Sequence, residues 1–338
     1  MKNYYIFKSG RIKRKDNSIM FEFTENPDSD NPVKKRIPIP VNDIDSMFLF
    51  GEIDLNTKLI NFFSKNNIII HFFNYYGYYT GSFYPKEFLN AGKIIVEQSS
   101  FYLNNSKRLF LAKEFIKSAS HGSINNLKVK KELLALEIDK IKKLQDSIDL
   151  IPNGKKGISR LMGIEGNIKQ IYYKSFSTLI HQNIDFKKRV KNPPDNMINA
   201  LISFINSLIY TEVLKEIYKT QLNPTVSFLH EPGFRRFSLS LDIAEIFKPI
   251  YGDKILFSLL NNNQLNKSHF DRDLNYAYLK ENGRKIVLQA FDEKLRKTIY
   301  HKGLKKKVSY QKIIRLELYK LIKHLLGEKE YKSFKIWW

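Results

Sequence analysis

The chain has 338 residues and a formal net charge of +23, from 57 Lys and Arg against 34 Asp and Glu. With 43% hydrophobic and 14% aromatic residues it carries enough apolar surface for one or two cores, which excludes a disordered tail. No cysteine occurs, so disulfides, thiolate metal sites and cysteine nucleophiles are excluded.

So large a positive excess points to a polyanionic partner, with nucleic acid ahead of an acidic lipid surface or a merely lysine-rich proteome. The start, MKNYYIFKSGRIKRK, lacks the basic, apolar and small-residue succession of a signal peptide. No apolar run is read as approaching the ~18 residues of a membrane span. A soluble, cytoplasmic protein is the expectation.

Residues 1–86 read as a small β-rich domain. Short apolar or β-branched runs at residues 4–7, 18–23, 35–41 and 68–73 are separated by turn signals such as Ser9-Gly10, Asp16-Asn17 and Asn26-Pro27-Asp28. A helix-period face, Leu55, Leu59, Ile60, Phe62 and Phe63, is set among them. The aromatics of residues 72–79 around Gly77 are read as packing a hairpin against its core rather than as a base-stacking platform.

From residue 87 to 338 the texture changes to long helix-period stretches, at 101–119, 124–148, 158–182, 195–220, 239–249 and 309–326. The fold class expected is therefore α+β: a small β-rich N-terminal domain, then a larger all-α C-terminal domain. Lysine clusters at Lys128, Lys130 and Lys131, at Lys187-Lys188-Arg189 and at Lys305-Lys306-Lys307 suit a surface that tracks phosphates.

Three segments place polar residues inside apolar helical stretches. In Leu161-Met162-Gly163-Ile164-Glu165-Gly166, Glu165 sits among apolar neighbours, where a carboxylate is costly unless a cation pairs with it. The bland alternative is an acid interacting with a helix N-terminus. His230 closes the run Thr225-Val226-Ser227-Phe228-Leu229 just before Pro232-Gly233, and a lone His at such an apolar edge is more often a satisfied core residue than a ligand. In Ser238-Leu239-Ser240-Leu241-Asp242-Ile243-Ala244-Glu245, Asp242 and Glu245 stand three residues apart on one helical face. Like charges so placed repel unless a cation lies between them.

One imidazole with carboxylates makes a hard or borderline site suited to Mg²⁺ or Mn²⁺, and such an ion can polarise a phosphodiester. Glu165, His230, Asp242 and Glu245 are the candidate donors and catalytic groups. Arg235, Arg236 and Lys248 are the candidate contacts to DNA phosphates.

At these residues the sequence resembles the CRISPR-associated endonuclease and integrase family of spacer acquisition. The likeness is carried by Glu165-Gly166-Asn167 with Tyr172-Tyr173, Pro194-Asp195-Asn196 with Asn199-Ala200-Leu201, Leu222-Asn223-Pro224, His230, Ser238-Leu239, and Asp242 through Pro249. Tyr310 with Arg315-Leu316-Glu317 continues it. The resemblance implies a β-rich domain used for homodimer contacts and a helical domain holding one divalent ion on Glu165, His230 and Glu245. It also implies a small ferredoxin-fold adaptation partner, double-stranded DNA as substrate, and insertion of short duplexes by 3′-hydroxyl transesterification. Two other classes stay open: a metal-independent tyrosine recombinase and a non-catalytic nucleic-acid-binding module.

Overall fold

The computed structural model describes the chain except residues 1, 26–31, 87, 88, 90, 185, 192, 235, 272–277, 302, 337 and 338, so the turn at Asn26-Pro27-Asp28 lies outside the described residues. The chain divides into two compact units, Met1–Phe88 and Leu89–Trp338.

The first unit is built on two sheets. Strands β1 (Lys2–Ile6), β5 (Ile44–Leu49), β7 (Ile69–Phe73) and β8 (Tyr79–Phe83) form one, in the order β1-β5-β7-β8, with only the β7–β8 pair antiparallel. Strands β4 (Val33–Pro40), β3 (Ser18–Glu25), β2 (Gly10–Lys15) and β6 (Ile53–Asp54) form the other, in that order. The edge strand β4 is almost wholly exposed, and its Lys34, Lys35, Pro38 and Pro40 protect it against further pairing. Helix α1 (Thr57–Lys65) starts at Asn56, whose side chain accepts the Leu59 N–H at 3.0 Å, and it buries Leu59, Phe62 and Phe63 with Ile12, Ile19, Met47 and Ile70.

The aromatic run divides rather than packing as a whole. Phe73 is buried, stacked on Phe50 with ring centroids 4.4 Å apart. Tyr75, Tyr76 and Tyr78 are exposed, because the turn held by Asn74 Oδ1 (accepting from the Tyr76 and Tyr78 N–H groups) and by Gly77 at φ 82° carries them past the end of the sheet.

The second unit is mostly helical: α2 (Gly92–Leu103), α3 (Asn105–Leu127), α4 (Ala135–Ser147), α5 (Gly157–Lys174), a single turn α6 (Phe176–Leu179), α7 (Met197–Tyr218), α8 (Ser238–Phe247), α9 (Asp253–Asn261), α10 (Glu281–Arg296) and α11 (Tyr310–Leu325). It is not all-α. Strands β9 (Thr298–His301) and β10 (Lys306–Ser309) pair antiparallel, since the β-branched and aromatic Thr298-Ile299-Tyr300 precedes a turn at Gly303 through Lys305, the last at φ 49°.

Helix α7 is the core of this unit, and by length and composition it could cross a membrane, contrary to the reading that no such run exists. Its side chains are largely buried inside the unit, against α8, α9 and α11. Helix α8 packs between α7 and α3, and α3 also packs on α5, so the two acid-bearing helices α5 and α8 share α3 as their floor.

Candidate active site

His230 lies on the stretch between α7 and α8, and several distant groups hold its backbone. Gln98 of α2 donates to the Asn223 and Val226 carbonyls and accepts the Asn223 N–H. The buried Arg108 of α3 donates to the Phe228 carbonyl at 2.7 Å and pairs with Glu231, which also accepts from the Tyr102 hydroxyl. From α8, Ser238 donates to the Thr225 carbonyl, and the Leu239 N–H meets the Pro224 carbonyl.

Asp242 completes this frame. Its Oδ2 accepts the Phe228 and Leu229 N–H groups at 2.7 and 2.8 Å, and its Oδ1 accepts the His230 N–H at 3.0 Å and meets His230 Nδ1 at 2.8 Å. With Nδ1 bonded to a buried carboxylate, Nε2 is the ring nitrogen left for substrate or metal. The expectation that Asp242 and Glu245 face one cation together is corrected: Asp242 is fully buried and committed to the His230 segment, while Glu245 pairs with lysines. Asp242 holds the backbone of the 228–230 segment and the His230 ring.

Glu165 projects from α5 and Glu245 from α8, and both pair with Lys169 Nζ, at 3.0 Å in the case of Glu245. Lys248 Nζ lies 2.5 Å from the other Glu245 oxygen. Burial opposes ionisation of Glu245, but the Lys169 and Lys248 charges outweigh it and hold the carboxyl well below the usual range. Lys169 is likewise held charged: burial disfavours its ammonium, and the Glu245 and Glu165 carboxylates override that.

Lys248 begins a π-helical turn, Lys248–Gly252, where Pro249 cannot continue the α-helical ladder. The Pro249 carbonyl accepts from Asn126 of α3 at 2.8 Å, and Gly122 lies so close that an added Cβ would meet Pro249 Cγ at 2.8 Å. Asn126 also donates to the Tyr172 hydroxyl, which donates to Asp253 at 2.9 Å. A small cavity between α3, α5, α8, the π-helical turn and the start of α9 is lined by Glu165, Lys169, Glu245, Lys248 and Asp253 among others.

The structure thus brings Glu165 and Glu245 together and pins His230 to Asp242 nearby in the chain. Among the described residues, no group of three or more His, Cys, Asp or Glu lies close enough to hold a metal ion. The donor types are those of a hard divalent cation: two carboxylates from different helices converge on Lys169, and the imidazole is held through Nδ1.

Of the expected DNA contacts, Lys248 is bound to Glu245. Arg236 is exposed and donates to the Glu231 carbonyl at 2.5 Å, bracing the loop that follows His230. Arg235 lies outside the described residues. Sequence reasoning missed Lys169, although a Glu followed by Lys at i+4 was there to be read.

The two-unit fold is shared with solved structures, and the sequence with a known family. The sequence model described as "CRISPR associated protein Cas1" matches residues 4–293. The CRISPR-associated endonuclease Cas1 of Fusobacterium nucleatum is 49% identical over 100% of this chain and 97% of its own length. That of Pyrococcus horikoshii is 41% identical over 98% of each. A Cas1 protein from Thermotoga maritima superposes with a TM-score of 0.85 at 38% identity, covering 99% of this chain and all of its own. A casposase bound to its integration product shares the fold, with a TM-score of 0.83 at 23% identity over 98% of this chain and 93% of its own. The chain belongs to the Cas1 family of CRISPR-associated proteins.

Proposed function

We propose that the chain is a divalent-metal-dependent DNA endonuclease and integrase that inserts short duplexes into a CRISPR array, in the cytoplasm of a prokaryote. One observation carries the reading: in a Cas1-family chain, Glu165 and Glu245 from two helices meet around a single positive charge while Asp242 fixes the His230 ring. Glu165, Glu245 and His230 Nε2 would hold Mg²⁺ or Mn²⁺, which supplies Lewis-acid polarisation of a phosphodiester.

The chain's own residues supply the rest. The braced 223–230 segment keeps the imidazole from turning away. A 3′-hydroxyl attacking a phosphodiester forms one P–O bond as another breaks, so no cofactor need supply energy and no protein nucleophile is required. The formal charge of +23 suits a duplex tracked through its phosphates. A homodimer through the N-terminal unit and a small ferredoxin-fold partner complete the assembly.

The test is strand transfer of a short fluorescent duplex into a supercoiled plasmid carrying a CRISPR array, with Mn²⁺ or EDTA and with the partner protein in parallel. Joining that needs metal and disappears in Glu165→Ala and His230→Ala is the expected result. Joining that survives EDTA returns the tyrosine recombinase. No joining under any condition, with tight duplex binding, returns the binding module.

A further inference from the structure

The α5–α8 carboxylate pair already has a cation of its own. Lys169 Nζ bonds Glu165 on its own helix, one turn back, and reaches across to Glu245 Oε2 at 3.0 Å. Two acids on neighbouring helices would repel each other, and Glu245 is only 5% exposed, so water screens that repulsion poorly. Lys169 neutralises both.

Two features set this lysine apart from Lys248, which also touches Glu245. Lys248 contacts only Glu245 of the pair, from the rigid π-helical turn, and its side chain is 21% exposed. Lys169 bridges both acids and its side chain is 35% exposed, so its four-carbon stem can carry the ammonium out to water or to a phosphate oxygen without moving the helix. Charge balance points the same way: two carboxylates and two lysines sum to zero, and a divalent ion placed among them would leave +2 unless a lysine withdraws.

Building on the reading of Glu165, His230 and Glu245 as metal ligands, we propose that Lys169 is a built-in counter-cation that sits where the divalent ion binds and must withdraw for the ion to enter. It keeps the two acids converged before metal arrives and lowers the affinity of the site for metal.

The experiment is a calorimetric titration of chelator-stripped full-length protein with MnCl₂ alone, without DNA, comparing wild type with Lys169→Met, which keeps the stem and removes the charge. Melting temperatures are measured with and without Mn²⁺. The proposal expects Lys169→Met to bind Mn²⁺ about tenfold more tightly or better, to melt lower than wild type without metal, and to regain the difference when Mn²⁺ is added. Lys169→Arg, which keeps the charge, should match wild type in the metal-free melt, and Glu245→Gln should abolish binding. Lys169→Gln serves in place of the Met variant if that does not fold. Equal or weaker Mn²⁺ binding by both charge-removing variants, with binding by wild type, overturns the counter-cation role and leaves the metal reading intact. Absence of Mn²⁺ binding in wild type and variants alike overturns the metal reading and this proposal with it.

Discussion

Asp242 and His230 are joined twice, through backbone and ring: one carboxylate oxygen takes the His230 N–H at 3.0 Å and meets Nδ1 at 2.8 Å. The other oxygen holds the two preceding N–H groups. His230→Ala should therefore change stability by less than about 1 kcal/mol and abolish strand transfer. Asp242→Asn should cost roughly 2 kcal/mol or more, because one amide oxygen cannot satisfy the buried donors of a carboxylate, and it should lower activity at least tenfold. Thermal melts run beside strand-transfer assays check both, and an Asp242→Asn protein with wild-type melting and activity would end the positioning role.

The pairing of Glu245 with Lys169 and Lys248 makes an acid-sensitive contribution to stability. Its carboxyl is held below the ordinary value of 4.5, so the folded protein binds that proton less readily than the unfolded chain. The stabilisation is fully present above about pH 4.5 and fades as pH falls through the depressed folded value. Glu245→Gln should remove it, costing on the order of 3 kcal/mol at pH 7 because Lys248 loses its carboxylate and Lys169 keeps only Glu165, with the penalty shrinking as the solution is acidified. Urea denaturation from pH 7 down to pH 3 reads this directly.

Asp253 behaves oppositely. Burial pushes its carboxyl up to about 7, against the Tyr172 hydroxyl bond and the Lys248 and Lys169 charges that favour ionisation. The folded protein then holds the proton more tightly than the unfolded chain, so stability falls as pH rises from about 4 to about 7 and is flat beyond. Asp253→Asn keeps an acceptor for Tyr172 and should be more stable than wild type at pH 8 by roughly 2–4 kcal/mol, with no gain at pH 4. A stability difference that does not vary with pH would contradict the assignment.

Gly122 is where α3 approaches the π-helical turn. A methyl there would meet Pro249 Cγ at 2.8 Å, so Gly122→Ala must displace the turn that starts at Lys248. The expected cost is about 1–3 kcal/mol of stability together with a loss of activity larger than that destabilisation alone explains. Assays well below the melting temperature separate the two effects.

DNA binding should be steeply salt-dependent. With lysines as the main phosphate contacts, a plot of log binding constant against log salt is expected to fall with a slope of about −4 or steeper, and similarly for duplexes of unrelated sequence. Fluorescence anisotropy between low and moderate salt supplies the slope; a shallow or sequence-dependent one argues for base reading instead.

The β-then-α order was legible because strand and helix leave different periods in the chain, and Glu165 and Glu245 stood out because acids in apolar helical stretches demand a partner. The hairpin Thr298–His301 with Lys306–Ser309 was not legible, since short strands among helices leave only a few alternating residues. Nor was the break after Leu127, where the apolar period runs on into α4 while the backbone turns between them.

By itself the sequence determined the charge, the two textures and the polar residues that interrupt apolar runs, all of which are local or summed properties. Only the tertiary structure decided what those residues do. Whether Asp242 faces a cation or holds His230 depends on where the 223–230 segment lies. Gln98 and Arg108 brace that segment from 120 and more residues away. Lys169 becomes the shared partner of two acids only when α5 and α8 come together over α3. Such pairings are chosen by the packing of helices far apart in the chain, and periodicity within any one helix carries no record of them.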